Sequence, residues 1–133
     1  PAAVEALAVP LRVLVVDDEP AIGGFLKRTL TDHGYKVDYA SSAFEVVDRA
    51  DLDTYDLLLL DMKMPGISGA DLFDHLRQLP GDIGSKVVFL TGDTANIATQ
   101  EFIERTGSPV LGKPFTLEQL IDMVDRFAAG LSR

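Results

Sequence analysis

Four leucines in a row, Leu57-Leu58-Leu59-Leu60, end on an aspartate, Asp61. An unbroken apolar run of strand length, without alternation, is the mark of a strand covered on both faces, as in a parallel sheet flanked by helices. The same pattern occurs earlier, where Leu14-Val15-Val16 runs into Asp17-Asp18-Glu19. Open α/β sheets carry their chemistry at the carboxyl ends of their strands. Two such ends side by side would gather at least three carboxylates in one crevice. That crowding is unfavourable unless a cation or protons offset it. The pattern therefore reads as a divalent-metal site around an aspartate open to phosphorylation.

The length of 133 residues suits one domain, and the hydrophobic fraction of 47% fits a globular core rather than disorder. A net charge of −9 argues against direct contact with a phosphate backbone, and most of that charge is explained by solubility. With no cysteine there is neither a disulfide nor a thiolate metal site. No apolar run reaches the roughly 18 residues of a membrane span. Residues 1–10 lack the basic start of a signal peptide and read as a flexible leader, with the folded domain over 11–130.

Apolar runs alternate with segments of helical spacing. Strands are expected at Arg12–Val16, Val37–Ala40 (short, at an edge), Leu57–Leu60, Lys86–Leu90 and Val110–Leu111. The helical sets are Ile22, Phe25, Leu26, Thr29 and Leu30; then Ala43, Val46, Val47 and Ala50; then Leu72, Leu76 and Leu79. Ile97, Phe102 and Ile103 form a weaker set, and Leu117, Leu120, Ile121, Val124 and Phe127 the last. Gly34, Pro80-Gly81 and Gly107 punctuate helix ends, and Thr116 before Glu118-Gln119 suits an N-cap. Strict alternation gives an α/β fold, a single doubly wound five-stranded parallel sheet. The common order 2-1-3-4-5 puts its switch point between strands one and three, the two that end in acids.

Thr91 and Lys113 follow the fourth and fifth strands, so the rim set becomes Asp17, Asp18, Asp61, Thr91 and Lys113. These are the parts that phosphoryl transfer to a carboxylate needs. The carboxylate is the nucleophile, Mg²⁺ balances the charge of the transferring group, and a hydroxyl and an ammonium hold its oxygens. Taken singly, each residue has a plainer reading: an aspartate after a strand is usually a turn former, and a lone lysine a surface charge. Glu19 reads as a first-turn acid of the first helix. Met62 and Met64 read as gap-filling apolar residues. His33 and His75 lack partners at ligand spacing and read as surface residues.

Four segments taken in order resemble the receiver domain of two-component response regulators, from about Leu11 to Phe127. They are Val13-Leu14-Val15-Val16-Asp17-Asp18-Glu19, Asp61-Met62-Lys63-Met64-Pro65-Gly66-Ile67-Ser68-Gly69, Leu90-Thr91-Gly92 and Lys113-Pro114-Phe115. The resemblance implies the flavodoxin-like receiver fold and a cytoplasmic location. It implies a phosphoacceptor in a phosphorelay, with Asp61 taking phosphate from a phosphohistidine on a histidine kinase or phosphotransfer protein. Asp18, Asp61 and the backbone carbonyl of Lys63 would ligate Mg²⁺, Asp17 would reach it through water, and Thr91 and Lys113 would hold the phosphate. Lys113-Pro114 would be cis. Such a domain catalyses its own phosphorylation and hydrolysis and is no enzyme for a small substrate. The rival readings are a partner-binding module without phosphorylation and a Mg²⁺-dependent aspartyl-nucleophile phosphohydrolase. The latter is disfavoured because the Asp-x-Asp motif is missing at Asp61, where Lys63 stands in the third place.

Three features bear on that resemblance. Val110 stands where the family commonly has Tyr, Phe or His, so a muted switch of the last-helices face is expected. Lys63 and Asp93 lie two residues beyond Asp61 and Thr91 and are expected to shield the phosphate as a pair, or else to be two solvated charges. Gly24 falls opposite the apolar set of the first helix, either by drift or as a landing site for a partner helix. The last helix ends near Arg133, so no output domain is expected to follow. The chain then reads as a stand-alone regulator or as a receiver cut from a longer protein. The Ser108–Phe115 segment resembles receivers of hybrid sensor kinases, which favours the second.

Overall fold

The structure is a computed structural model and describes residues 11–131; the expected leader at 1–10 lies outside the described residues. Five strands form one parallel sheet: β1 (Arg12–Val16), β2 (Lys36–Ala40), β3 (Leu57–Asp61), β4 (Val87–Thr91) and β5 (Val110–Gly112). Their order is β2-β1-β3-β4-β5, as expected, with boundaries within one residue of those read from the sequence. Every residue of β3 is buried. Period-two geometry sends Leu58 and Leu60 to one face and Leu57 and Leu59 to the other.

Each face is covered by helices. Leu14, Leu60 and Phe89 pack with Leu72, Phe73, Leu76 and Phe102 from α3 (Gly69–Leu76) and α4 (Ile97–Thr106). On the other side Val13, Val15 and Leu90 pack with Leu26 and Leu30 of α1 (Pro20–Asp32) and Leu120 and Val124 of α5 (Leu117–Leu131). Each buried leucine of this kind contributes roughly 1.5–3 kcal/mol of transfer free energy. No helix among the described residues is long and apolar enough to cross a membrane.

The cap at Thr116 forms as a reciprocal pair. The Gln119 N–H donates to the Thr116 hydroxyl at 3.1 Å, and the Gln119 side-chain oxygen accepts from the Thr116 N–H at 2.8 Å. Ser68 and Asn96 cap α3 and α4 with one bond each, accepting the Asp71 and Thr99 N–H groups.

Two expectations need correction. The second helix, read as running to Ala50, is the single turn α2 (Phe44–Val47). Leu52 and Tyr55 are both buried, and bringing them inward requires leaving the helical path early. Arg49 then clamps the departing chain, with two bonds to Asp51 and one to the Tyr55 hydroxyl. In addition, Phe25, Ile97 and Leu117 are exposed, although their spacing puts them in the apolar sets. Ile97 and Leu117 are the first residues of their helices, at the end of each apolar stripe, so the right period does not bring burial there.

Candidate functional site

β1 and β3 are neighbours in the sheet and end together, and the chain leaves each at an acid. Oxygens of Asp17, Asp18, Glu19 and Asp61 all lie within 4.8 Å of one another. Asp17 is fully buried, Asp61 nearly so, and Asp18 half-buried. Lys113, delivered from the end of β5, places its Nζ 2.9 Å from Asp17 Oδ2 and 3.5 Å from both Asp61 Oδ1 and Glu19 Oε1. Thr91, buried at the end of β4, accepts the Asp93 N–H at 3.1 Å and passes its own carbonyl to the Lys113 N–H at 2.7 Å. A cleft of about 350 Å³ opens onto Asp61, Lys63, Thr91, Gly92, Asp93, Lys113 and Glu19. Sheet order alone brings these residues together, although up to 96 positions separate them.

The electrostatics follow from that crowding. Burial first, and then the Asp17 charge, push the Asp61 carboxyl up to about 6, although Lys113 and the Lys63 N–H pull the other way. Burial draws the Lys113 ammonium down, but the bond to Asp17 and the charges of Asp61, Asp17 and Glu19 outweigh it and leave Lys113 shifted upward. One ammonium thus serves three carboxylates. An all-oxygen donor set with excess negative charge fits a hard divalent cation that keeps some of its waters, as Mg²⁺ does.

All the residues expected at the rim are there. Lys63 is exposed and reaches over the mouth to Asp93, with Nζ 2.9 Å from Oδ2, while its N–H donates to Asp61 Oδ1 at 3.3 Å. The Lys113-Pro114 bond is cis, as expected.

Glu19 is the N-cap residue of α1, and its carboxylate belongs to the acidic cluster rather than to the helix's first turn. Its place beside Asp17 and Asp18 was the available signal, masked by the commoner role of an acid at a helix start. His33 is not an isolated surface residue. Its Nε2 sits 3.3 Å from Asp125 Oδ2, beside the Tyr35 hydroxyl that donates to Asp125 Oδ1 at 2.5 Å, and this cluster joins the end of α1 to α5.

Gly69 has a role that no local pattern announces. A Cβ there would sit 2.2 Å from the Asp61 carbonyl oxygen and 2.7 Å from Met62 Cα, so α3 begins directly against the backbone that carries Asp61. Met62 and Met64 are buried in the core, as their apolar reading requires.

The doubly wound order and the acidic crevice at its switch point define a class of open-sheet α/β domain with its site at the strand ends. Residues 13–125 match the family model described as the response regulator receiver domain, and the chain belongs to that family. It is 34% identical over 109 residues to the uncharacterized transcriptional regulatory protein YrkP of Bacillus subtilis, covering 82% of this chain and 46% of YrkP. To the transcriptional regulatory protein TrcR of Mycobacterium tuberculosis it is 30% identical, covering 84% of this chain and 43% of that protein. The chain therefore spans less than half the length of these relatives.

Among solved structures it resembles the chemotaxis protein CheY4 of Vibrio cholerae, with a TM-score of 0.80 at 27% identity over 90% of this chain and 99% of that one. It resembles equally the signal receiver domain of a histidine kinase from Syntrophus aciditrophicus, with a TM-score of 0.80 at 27% identity over 92% of both chains. Response regulator receiver domains are signalling domains of two-component systems.

Proposed function

We propose that residues 11–130 form a phosphoacceptor module in the cytoplasm, with Asp61 as the acceptor, and that it takes its phosphoryl group from a phosphohistidine on a kinase or phosphotransfer protein. One observation carries this reading: residues from separate stretches of chain come together, Asp17 and Asp18 gathering on Asp61, and Asp61, Thr91 and Lys113 lining one cleft. In the transfer, an Asp61 carboxylate oxygen attacks phosphorus. The phosphorus–nitrogen bond to the donor imidazole breaks, and the electron pair and a proton end on the departing ring. Lys113 and the Thr91 hydroxyl hold phosphoryl oxygens. Asp18, Asp61 and the Lys63 carbonyl would hold Mg²⁺, with Asp17 reaching it through water. When bound, the ion would offset charge between the acids and the phosphoryl group.

An apolar groove of about 460 Å³ lies beside the cleft, lined by Ile22, Phe25, Pro114 and Phe115 and sharing Glu19 and Lys113 with it. It supports docking of the histidine-bearing partner next to Asp61. The relatives are named transcriptional regulators, but the charge of −9 supports no nucleic-acid contact by these 133 residues themselves.

The test is incubation with acetyl phosphate and Mg²⁺ followed by intact-mass analysis. Wild type should gain the mass of one phosphoryl group and Asp61→Asn none; an unmodified wild type refutes the proposal. The Lys63–Asp93 pair supports a shield over the phosphate. Replacing both residues with alanine should then shorten the phosphoryl lifetime, and an unchanged lifetime removes that role.

A further inference from the structure

Tyr39 belongs to β2, not to any rim position, yet it reaches the acidic loop. Its hydroxyl donates to the backbone carbonyl of Asp17 at 2.6 Å. The ring crosses from β2 over the end of β1 on the α1 face, where it joins the core packed against Val15 and Val37. There it closes on the first turn of α1, at Gly23. A Cβ on Gly23 would fall 2.2 Å from Tyr39 Cε1 and 2.4 Å from Cζ, far inside van der Waals contact with the ring. Burial, and then the charges of Asp17, Glu45 and Asp18, push the phenol's pKa upward, so it remains an O–H donor across the neutral range.

The bond to Tyr39 completes a set. The Asp17 N–H donates to the Ala40 carbonyl at 3.2 Å, its Oδ1 accepts the Glu19 N–H at 2.9 Å, and its Oδ2 accepts Lys113 at 2.9 Å. The Asp17 carbonyl is the remaining polar group, and it belongs to the peptide plane that joins Asp17 to Asp18. Whichever way that plane turns, the direction of the Asp18 carboxylate turns with it.

We infer that Tyr39 is a positioning residue for the acidic site, that its hydroxyl sets the Asp17–Asp18 peptide in the orientation that lets the carboxylates converge, and that Gly23 is glycine to admit its ring. This deepens the metal-site reading above and rests on it. A neutral hydrogen bond contributes about 0.5–1.5 kcal/mol, which corresponds to roughly two- to tenfold in an equilibrium constant.

The experiment is an amide NMR titration of the full chain with MgCl₂ from a metal-free start, alongside thermal melts and amide exchange. Tyr39→Phe keeps the ring in place over Gly23 and removes only the oxygen. Its Kd for Mg²⁺ should rise about three- to tenfold and exchange at the Glu19 amide should quicken, with Tm lowered by only a few degrees. Gly23→Ala expels the ring and should weaken Mg²⁺ at least as much; adding Tyr39→Phe to it should weaken Mg²⁺ no further, since both act through the same bond. If Gly23→Ala does not fold, Tyr39→Phe alone decides. A Tyr39→Phe variant that binds Mg²⁺ as wild type does, even with a lowered Tm, overturns the inference and leaves the site reading intact. A wild type whose Asp17, Asp18 and Asp61 amides ignore Mg²⁺ overturns the site reading first, and the positioning role with it.

Discussion

Asp61 is held in a state it resists. Its folded value of about 6 lies above the ordinary 3.8, so in metal-free protein the folded chain binds more protons than the unfolded one between those limits. Stability from this group is then present at low pH and is lost as pH rises through about 6. The cost above that point is roughly 1–3 kcal/mol, set by burial and the Asp17 charge less the attraction of Lys113. Asp61→Asn should therefore stabilise the metal-free fold by roughly that amount at pH 7.5, and the difference from wild type should shrink towards pH 5. Urea melts in chelator at both pH values measure it; a variant less stable than wild type at pH 7.5 would mean that the attraction of Lys113 outweighs burial and Asp17. Added Mg²⁺ should reverse the order, because the ion rewards the carboxylate that asparagine lacks.

At the scale of elements, three glycines that look alike in sequence do three different things. Gly69 admits the start of α3 against the Asp61 backbone, and Gly23 admits the ring of Tyr39. Gly24 meets nothing within 4 Å. Gly24→Ala should therefore stabilise α1 by about 0.5–1 kcal/mol, the helix-interior difference between the two residues. Gly69→Ala should cost about 3 kcal/mol, because its clash is with backbone rather than with a flexible side chain. Thermal or urea melts separate these signs. Gly24→Arg tests the landing-site reading: phosphotransfer from the partner should slow by about tenfold or more with little change in melting, since the groove of Ile22 and Phe25 lies on the same helix.

At the scale of the molecule, a phosphoryl group on Asp61, as proposed, would have to be read at a distant surface, and Val110 of β5 stands where the resemblance leads to an expected aromatic ring. Val110 is half-buried there, paired in register with Phe89 and packed at the edge of a three-ring cluster. Phe73, Phe89 and Phe102 meet one another at centroid distances of 5.2–5.9 Å with tilted or edge-on planes. Such contacts have two sides to lose if one ring turns, and valine has no ring to swing into a vacated space. A phosphate mimic should therefore perturb the cleft strongly and the α4–β5–α5 face weakly. Amide spectra with and without beryllofluoride report this directly, and large shifts confined to that face would contradict it.

What the chain's own pattern determined is the sheet and the identity of its rim. Uninterrupted apolar runs such as Leu57–Leu60 require cover on both faces, and strands that alternate with helices admit few orders. Asp17, Asp18, Asp61, Thr91 and Lys113 were legible because each stands at the end of a strand or within two residues past it, so knowing the strand is knowing the end. Tertiary packing alone decided the rest. Ala50 lost its helix because Leu52 and Tyr55 had to be buried, a demand from the core that helical spacing does not contain. Glu19 joined the acids and His33 found Asp125 through contacts with distant elements. Tyr39 and Gly23 carry no sign in sequence of their bond and close approach, because a strand residue and a helix residue meet only once β2 is laid beside β1 and α1 is folded across both. Periodicity records which face a residue takes; what waits on that face is settled by the neighbours that other parts of the chain bring to it.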